Sequence, residues 1–218
     1  MNSSTIENIQ HWGETLQLLV EIAGTAAFAL SGVLKGAQKR LDAVGVCVVG
    51  FLAAFGGGTL RDLLLDQRPF FWVRHEEMLW GVMALCLLAM LFMRRHHFDL
   101  TLKAIEWPDA MGLGLFTATG VHLALLSQTS MLVAVLMGLI TGVFGGVLRD
   151  IVCNEIPAVF SDHHPYAVCA FTGGWAYIGL WQLGAPGWAS LVACVLITAG
   201  LRGLALWRNW QLPAWQVD

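Results

Sequence analysis

Charge is what this sequence is shortest of. Of its 218 residues 12% are charged and 57% hydrophobic, and the mean hydropathy is +0.66. A soluble domain ordinarily carries about 25% charged residues, so the balance points to a membrane protein. The charges that are present avoid the apolar runs. The net charge is −3 with no basic block, which removes the electrostatic case for a nucleic-acid partner.

Other absences narrow the function. The five cysteines (Cys47, Cys86, Cys153, Cys169, Cys194) show no C-x-x-C spacing and lie in or beside apolar segments, so they read as small buried hydrophobes. The opening MNSSTIENIQHWGE has no basic start before the first apolar run, so a cleaved signal peptide is not expected. The stretch GGGTLRD at 56–62 lacks the GK[ST] of a phosphate loop. The pairs His96–His97 and His163–His164 have no second ligand set and read as solvated loop residues, and His122 as a packed or hydrogen-bonded residue within a span. No serine, histidine and acid are arranged for nucleophilic catalysis, and no enzyme is expected.

What the chain does have is long apolar runs. A hydrocarbon core about 30 Å thick needs roughly 20 residues of helix. The candidates are 15–35, 42–65, 78–94, 109–127, 130–153, 165–183 and 187–207. The runs are too long for barrel strands and do not alternate, so the expected fold is an all-α membrane protein of seven transmembrane helices in a single domain over 1–218. Several of the ten tryptophans (Trp12, Trp72, Trp80, Trp107, Trp188, Trp207) sit where apolar runs meet polar ones, the place a bilayer interface favours indole. Lys35, Lys39, Arg40, Arg94, Arg95, Lys103, Arg202 and Arg208 fall on one side if the spans alternate, against Arg68 and Arg74 on the other. The positive-inside rule then places the N-terminus outside and the C-terminus in the cytoplasm of a multi-pass protein of the cell (inner) membrane.

The chain also repeats itself. Shifted by 88 residues, 21–72 aligns on 109–160 without a gap. The identities include Gly24/Gly112, Phe28/Phe116, Gly32/Gly120, Gly50/Gly138, Gly57/Gly145, Gly58/Gly146, Arg61/Arg149, Asp62/Asp150 and Pro69/Pro157. Glu21/Asp109 and Ser31/Thr119 are similar pairs. This is an internal duplication. Three spans separate equivalent positions, so the second copy must insert upside down: an inverted 3+3 repeat (about 15–94 and about 109–183) with an extra helix at about 187–207. Such repeats carry a path at their interface in many transporters and some channels.

The chemistry kept in both copies is the motif GG-x-x-R-D. The glycine runs Gly56–Gly58 and Gly145–Gly146 weaken the helix at one level and allow a kink or a short unwound turn. Freed carbonyls there suit a cation, and the N-terminus of a following half-helix suits an anion. The stripes Gly50–Ala54–Gly58 and Gly138–Gly142–Gly146 read mainly as packing surfaces. Arg61 lies about 28 Å along a straight helix from Asp42, near the far interface. Ionisable residues in spans usually mark a function, so Arg61, Asp62, Arg149 and Asp150 are candidate pore-lining or gating charges. Ion pairs that only lock helix ends are the alternative. Adjacent residues on a helix point about 100° apart, so pairing across to other helices is expected at least as much as pairing within each motif. Ser31, Thr117 and Thr119 are candidate pore-lining hydroxyls, the alternative being a bond to their own helix carbonyls.

Seven spans, inverted repeats, and FGGGTLRD…RPFFW answered by FGGVLRD…IPAVF resemble the bacterial relatives of trimeric intracellular cation channels, a group that also carries a glycine-transporter label. The resemblance covers 16–207. It implies a homotrimer in the lipid bilayer, each protomer with its own pore for monovalent cations, mainly potassium. It also implies that the second and fifth spans are kinked at Gly56–Gly58 and Gly145–Gly146. No cofactor or fixed metal is implied beyond a permeant K⁺ or Na⁺. The lysine that helps animal members bind an anionic lipid has no counterpart, since Ala53–Ala54–Phe55 precede the glycines. Two functions stand: a potassium-permeable channel, or an alternating-access carrier for a small zwitterion such as glycine. Charges near span ends, rather than a complete midplane site, favour the channel.

Overall fold

Each of the seven apolar stretches forms a helix. A computed structural model describes residues 3–96, 102–161 and 164–211. His97 and His163 fall outside these residues, as do the side chains of Trp12, Arg94, Arg95, His96 and Lys103. The long helices are α1 (Ser3–Gln38), α2 (Ala43–Leu64), α4 (Glu76–His96), α5 (Leu102–Leu126), α6 (Met131–Val152), α8 (Ala167–Gln182) and α9 (Gly187–Arg208). Two short helices, α3 (Phe71–Arg74) and α7 (Ala158–Ser161), follow the two R-D motifs; at four residues each they are too short to show a period. No strand occurs among the described residues. Six helices are long and apolar enough to cross a membrane; α8, with 16 residues, is uncharged but shorter than a straight span requires.

The joints between helices repeat with the sequence. Asp42 caps α2 by accepting from Gly45 N at 2.7 Å, and its mate 88 residues on, Ser130, caps α6 through Val133 N. α1 and α5 end at left-handed residues, Arg40 (φ 55°) and Gln128 (φ 58°), and α2 and α6 at Asp66 (φ 50°) and Asn154 (φ 55°). In each turn the amides of the left-handed residue and of the residue after it bond back to carbonyls near the helix end, for example Gln67 N to Asp62 O at 2.7 Å and Glu155 N to Asp150 O at 2.9 Å. This closes the orphan carbonyls of the helix end.

The packing is inverted relative to a water-soluble protein. Leu88, Leu196, Val44 and Trp80 are 66–70% exposed, whereas Arg61, Asp62, Arg149 and Asp150 are 2–4% exposed. Large apolar side chains can face outward at no cost only if the solvent is itself apolar, so this is a membrane protein. At the centre, α1, α2, α5 and α6 pack on one another, with α4 beside the first pair and α8 and α9 beside the second.

The mated helices cross antiparallel. A Cβ on Gly24 would touch the Phe116 ring, and one on Gly112 the Phe28 ring, so numbering rises along α1 as it falls along α5. A Cβ on Gly57 would collide with the carbonyl oxygen of Thr141, and one on Gly145 with that of Ala53. Those four residues are two pairs of repeat mates. Here the expectation of an unwound turn is corrected. α2 and α6 run as unbroken α-helix through both glycine runs. The backbone keeps its own hydrogen bonds, and the missing Cβ atoms are used to bring the two helices into backbone contact.

Candidate functional site

The site is built at the ends of α2 and α6. Arg61 projects from the last turns of α2, and its Nη1 donates to Glu21 Oε1 of α1 at 2.5 Å. Its Nε donates to Asp62 Oδ1 at 2.8 Å. The other oxygen of Asp62 accepts from Phe71 N, the first amide of α3, at 2.8 Å. One arginine therefore ties α1 to α2, and one aspartate ties the following chain to both.

The second motif repeats the device. Arg149 Nη1 donates to Asp109 Oδ1 of α5, Arg149 Nε to Asp150 Oδ1 at 2.8 Å, and Asp150 Oδ2 accepts from Ala158 N of α7 at 3.0 Å. Arg149 Nη1 also donates to Ser31 Oγ at 2.5 Å. All six charged side chains are at most 5% exposed. Taking such ions out of water costs several kcal/mol each, and close pairing with hydrogen bonds to the remaining oxygens is what makes that tolerable.

Each cluster faces a cavity. One of about 510 Å³ is lined by Glu21, Arg61 and Asp62 with Gln17, His75 and Leu123. The other, of about 280 Å³, is lined by Asp109, Arg149 and Asp150 with Lys35, Glu155 and Arg202. Helix α1 visits the first at Glu21 and the second at Lys35, fourteen residues later in the sequence and about 21 Å further at a helical rise of ~1.5 Å. The cavities therefore enter from opposite ends. Midway between them Phe28 and Phe116 meet with ring centroids 5.3 Å apart, packed with Ala53.

The sequence candidates are thus distributed in three places. Arg61, Asp62, Arg149 and Asp150 line the cavities. Gly57 and Gly145 lie at the central crossing, with Gly56 against Leu148, while a Cβ on Gly58 would meet nothing nearer than Arg61 Nη2 at 3.8 Å and one on Gly146 would lie 3.3 Å from the Tyr166 hydroxyl. The hydroxyls line neither cavity. Thr117 Oγ1 donates to Leu113 O at 2.7 Å and Thr119 Oγ1 to Phe116 O at 3.3 Å, each within its own helix, and Ser31 Oγ donates to Ile105 O while holding Arg149. Pairing runs both ways, across helices and within each R-D motif, because the long guanidinium presents separate nitrogens to each acid.

Glu21 and Asp109 are the arginines' partners, and the sequence carries a signal for them, since both are acids at mated positions near the starts of apolar runs. Lys35, Glu155, Tyr166 and Arg202 are site residues that neither motif marks. Lys35 Nζ and Lys39 Nζ reach Glu155 at 2.5 and 2.6 Å. Arg202 of α9 stacks over Tyr166 at 4.8 Å and donates to Pro165 O at 3.2 Å.

Comparison with known proteins agrees with this architecture. A family model described as "Glycine transporter" matches twice, on residues 18–94 and 106–182, so the two matches are themselves offset by the repeat. A membrane protein of Vibrio cholerae is 37% identical over 91% of this chain and 82% of its own length. The inner membrane protein YadS of Escherichia coli K12 is 34% identical over 91% of this chain and 96% of its own. Among solved structures, a TRIC cation channel chain is 34% identical with a TM-score of 0.81, covering 92% of this chain and 97% of that one. The trimeric intracellular cation channel orthologue of Rhodobacter sphaeroides is 30% identical with a TM-score of 0.84, covering 89% and 99%.

Proposed function

The chain belongs to the family of prokaryotic TRIC channels, the one matched by the glycine-transporter model, and from that premise we propose that it is a monovalent cation channel, permeable to potassium, with one pore in each protomer. The observation that carries the reading is the pair of charged cavities entering from opposite ends toward one thin closed layer, Phe28 against Phe116. The pore runs along the interface of the two repeats. Asp62 and Asp150 draw cations to the mouths, Arg61 and Arg149 hold the helices whose movement opens the layer, and bending at Gly56–Gly58 and Gly145–Gly146 supplies that movement.

The finer architecture belongs to the same reading. α8 is counted as a span despite its length, which makes seven. The antiparallel crossing of mated helices supports an inverted repeat. The outward apolar faces of α4, where Leu87, Leu88 and Leu91 are more than half exposed, suit a homotrimer in the lipid of the inner membrane, with the N-terminus outside and the C-terminus in the cytoplasm. The solved relative described as trimeric supports the trimer.

A glycine carrier is less well supported. A carrier needs a polar binding site at midplane, and there Phe28, Phe116 and Ala53 pack together while the nearby hydroxyls of Thr117 and Thr119 are bonded to their own helix. Planar-bilayer recording of purified protein in potassium chloride, with glycine absent and then added, tests the proposal. Unitary cation-selective steps indifferent to glycine are expected. Silence in the bilayer together with saturable glycine uptake into liposomes would replace it with the carrier.

A further inference from the structure

The two cavity mouths share the backbone of their helix-ending turns and differ there in their side chains. Both are framed by the left-handed turns that end mated helices: Arg40 and Asn154 at one, Gln128 and Asp66 at the other. Where these turns meet at the first mouth, Gln67 Nε2 donates to Ser127 Oγ at 3.3 Å. At the positions shifted by 88 residues stand Glu155 and Lys39, and their contact is an ion pair of 2.6 Å. One helical turn earlier, Leu123 lines the first cavity where its mate Lys35 lines the second. Lys35 adds a second ion pair to Glu155, at 2.5 Å, with its own side chain only 9% exposed. One joint is therefore made twice, once as a long neutral hydrogen bond and once as a doubled ionic bridge between the end of α1 and the chain after α6.

We propose that Lys35, Lys39 and Glu155 form an ionic latch that keeps the second mouth from widening, and that the Gln67–Ser127 joint, lacking it, yields first, so that opening is sided. The proposal rests on the channel reading above. The helix-ending turns match at the two joints, so the molecule supplies its own comparison: at the joints themselves side-chain chemistry is what differs. A partly exposed ion pair shifts an equilibrium by about fivefold at most, and a buried lysine end is screened by salt less than a surface pair. Loss of the latch should thus change opening several-fold and leave the fold in place. Cys153 lies under the latch, two residues before Glu155 and 7% exposed, and Cys194 is fully buried elsewhere; one reports the mouth and the other the fold.

The test compares wild type, Glu155→Gln and the double variant Gln67→Glu/Ser127→Lys in proteoliposomes and bilayers. The latch predicts that Glu155→Gln raises the rate of Cys153 alkylation by a membrane-impermeant maleimide several-fold while Cys194 stays protected, and raises open probability. The double variant, which builds a latch at the first mouth, should lower open probability. Unchanged Cys153 labelling in Glu155→Gln, or an unchanged open probability in the double variant, overturns the latch. If even the wild type passes no current, the channel reading fails and Cys153 labelling alone decides the latch. Should Glu155→Gln expose Cys194, the wild type decides. Added N-methylglucamine chloride must then speed Cys153 labelling by screening the Lys39–Glu155 pair, which is about a third exposed, and a rate indifferent to salt overturns the proposal.

Discussion

Phe28 and Phe116 face each other at the centre of the molecule with ring centroids 5.3 Å apart, although 88 residues separate them in the chain. The two are mated positions of the repeat, so their contact lies where the two copies cross. In the proposed pore this contact is the closed layer between the two charged cavities.

Removing one ring should open the layer. Phe28→Ala and Phe116→Ala each delete a side chain that is at most 4% exposed and leave a gap where the cavities approach each other. Potassium efflux from liposomes should rise several-fold with either variant. Efflux equal to wild type from well-folded Phe28→Ala protein would show that the barrier lies elsewhere.

The central glycines separate packing from hinge. Gly57→Ala and Gly145→Ala each drive a methyl into a backbone carbonyl of the facing helix, and neither carbonyl can move without moving its helix. Both should lower the melting temperature in detergent, at a cost of order 1–3 kcal/mol for overpacking. Gly58→Ala meets nothing closer than 3.8 Å and gains about 1 kcal/mol of helix propensity, so it should be neutral or stabilising. If Gly58→Ala keeps its stability but loses conductance, bending at that glycine is part of opening.

The two arginines predict a mutant cycle. Arg61→Met leaves Glu21 and Asp62 buried without their cation, and breaking such a buried pair costs about 3–5 kcal/mol. Adding Glu21→Gln should recover part of the loss, because one stranded charge is removed. Arg149→Met with Asp109→Asn should behave in parallel. Thermal shifts that simply add, with no recovery in the double variants, would contradict the pairing.

The latch carries a pH dependence. Burial opposes the charge on Glu155, but hydrogen bonds and attraction from Lys35 and Lys39 outweigh it and hold the carboxyl below its ordinary value of 4.5. A depressed carboxylate contributes stability that is present above that value and lost as pH falls through the folded one. The hydrogen bond to Glu155 raises Lys39 above its ordinary 10.5, so its share is present below that value and lost as pH rises through the folded one. Wild type should therefore be more stable than Glu155→Gln across neutral pH, and the difference should shrink as pH falls through the lowered value of the folded carboxyl. A difference in melting temperature that stays constant down to the acid limit of the fold would assign it to something other than the ion pairs.

Much of this molecule is local and so was legible. An apolar run of about 20 residues can only be a helix in lipid, since every backbone group must be satisfied within the segment, and each predicted run is one. The duplication was legible because mated glycines and charges keep a constant offset. Glu21 and Asp109 were visible as mated acids, yet nothing in the chain said that an arginine 40 residues away would reach each one. The roles of Ser31, Thr117 and Thr119 were equally undetermined, because a buried hydroxyl is content with any carbonyl, and Thr117 and Thr119 found their own helix.

By itself, then, the sequence determined the helices, their likeness in two copies and the membrane as solvent, all properties of composition and period. The tertiary structure alone decided how the glycines are used. A residue without a Cβ can unwind a helix or let another helix touch it. The carbonyls of Thr141 and Ala53, brought in from the facing helices, chose contact at Gly57 and Gly145. It alone decided the contact of Phe28 with Phe116, because residues 88 positions apart meet only once α1 and α5 have packed together.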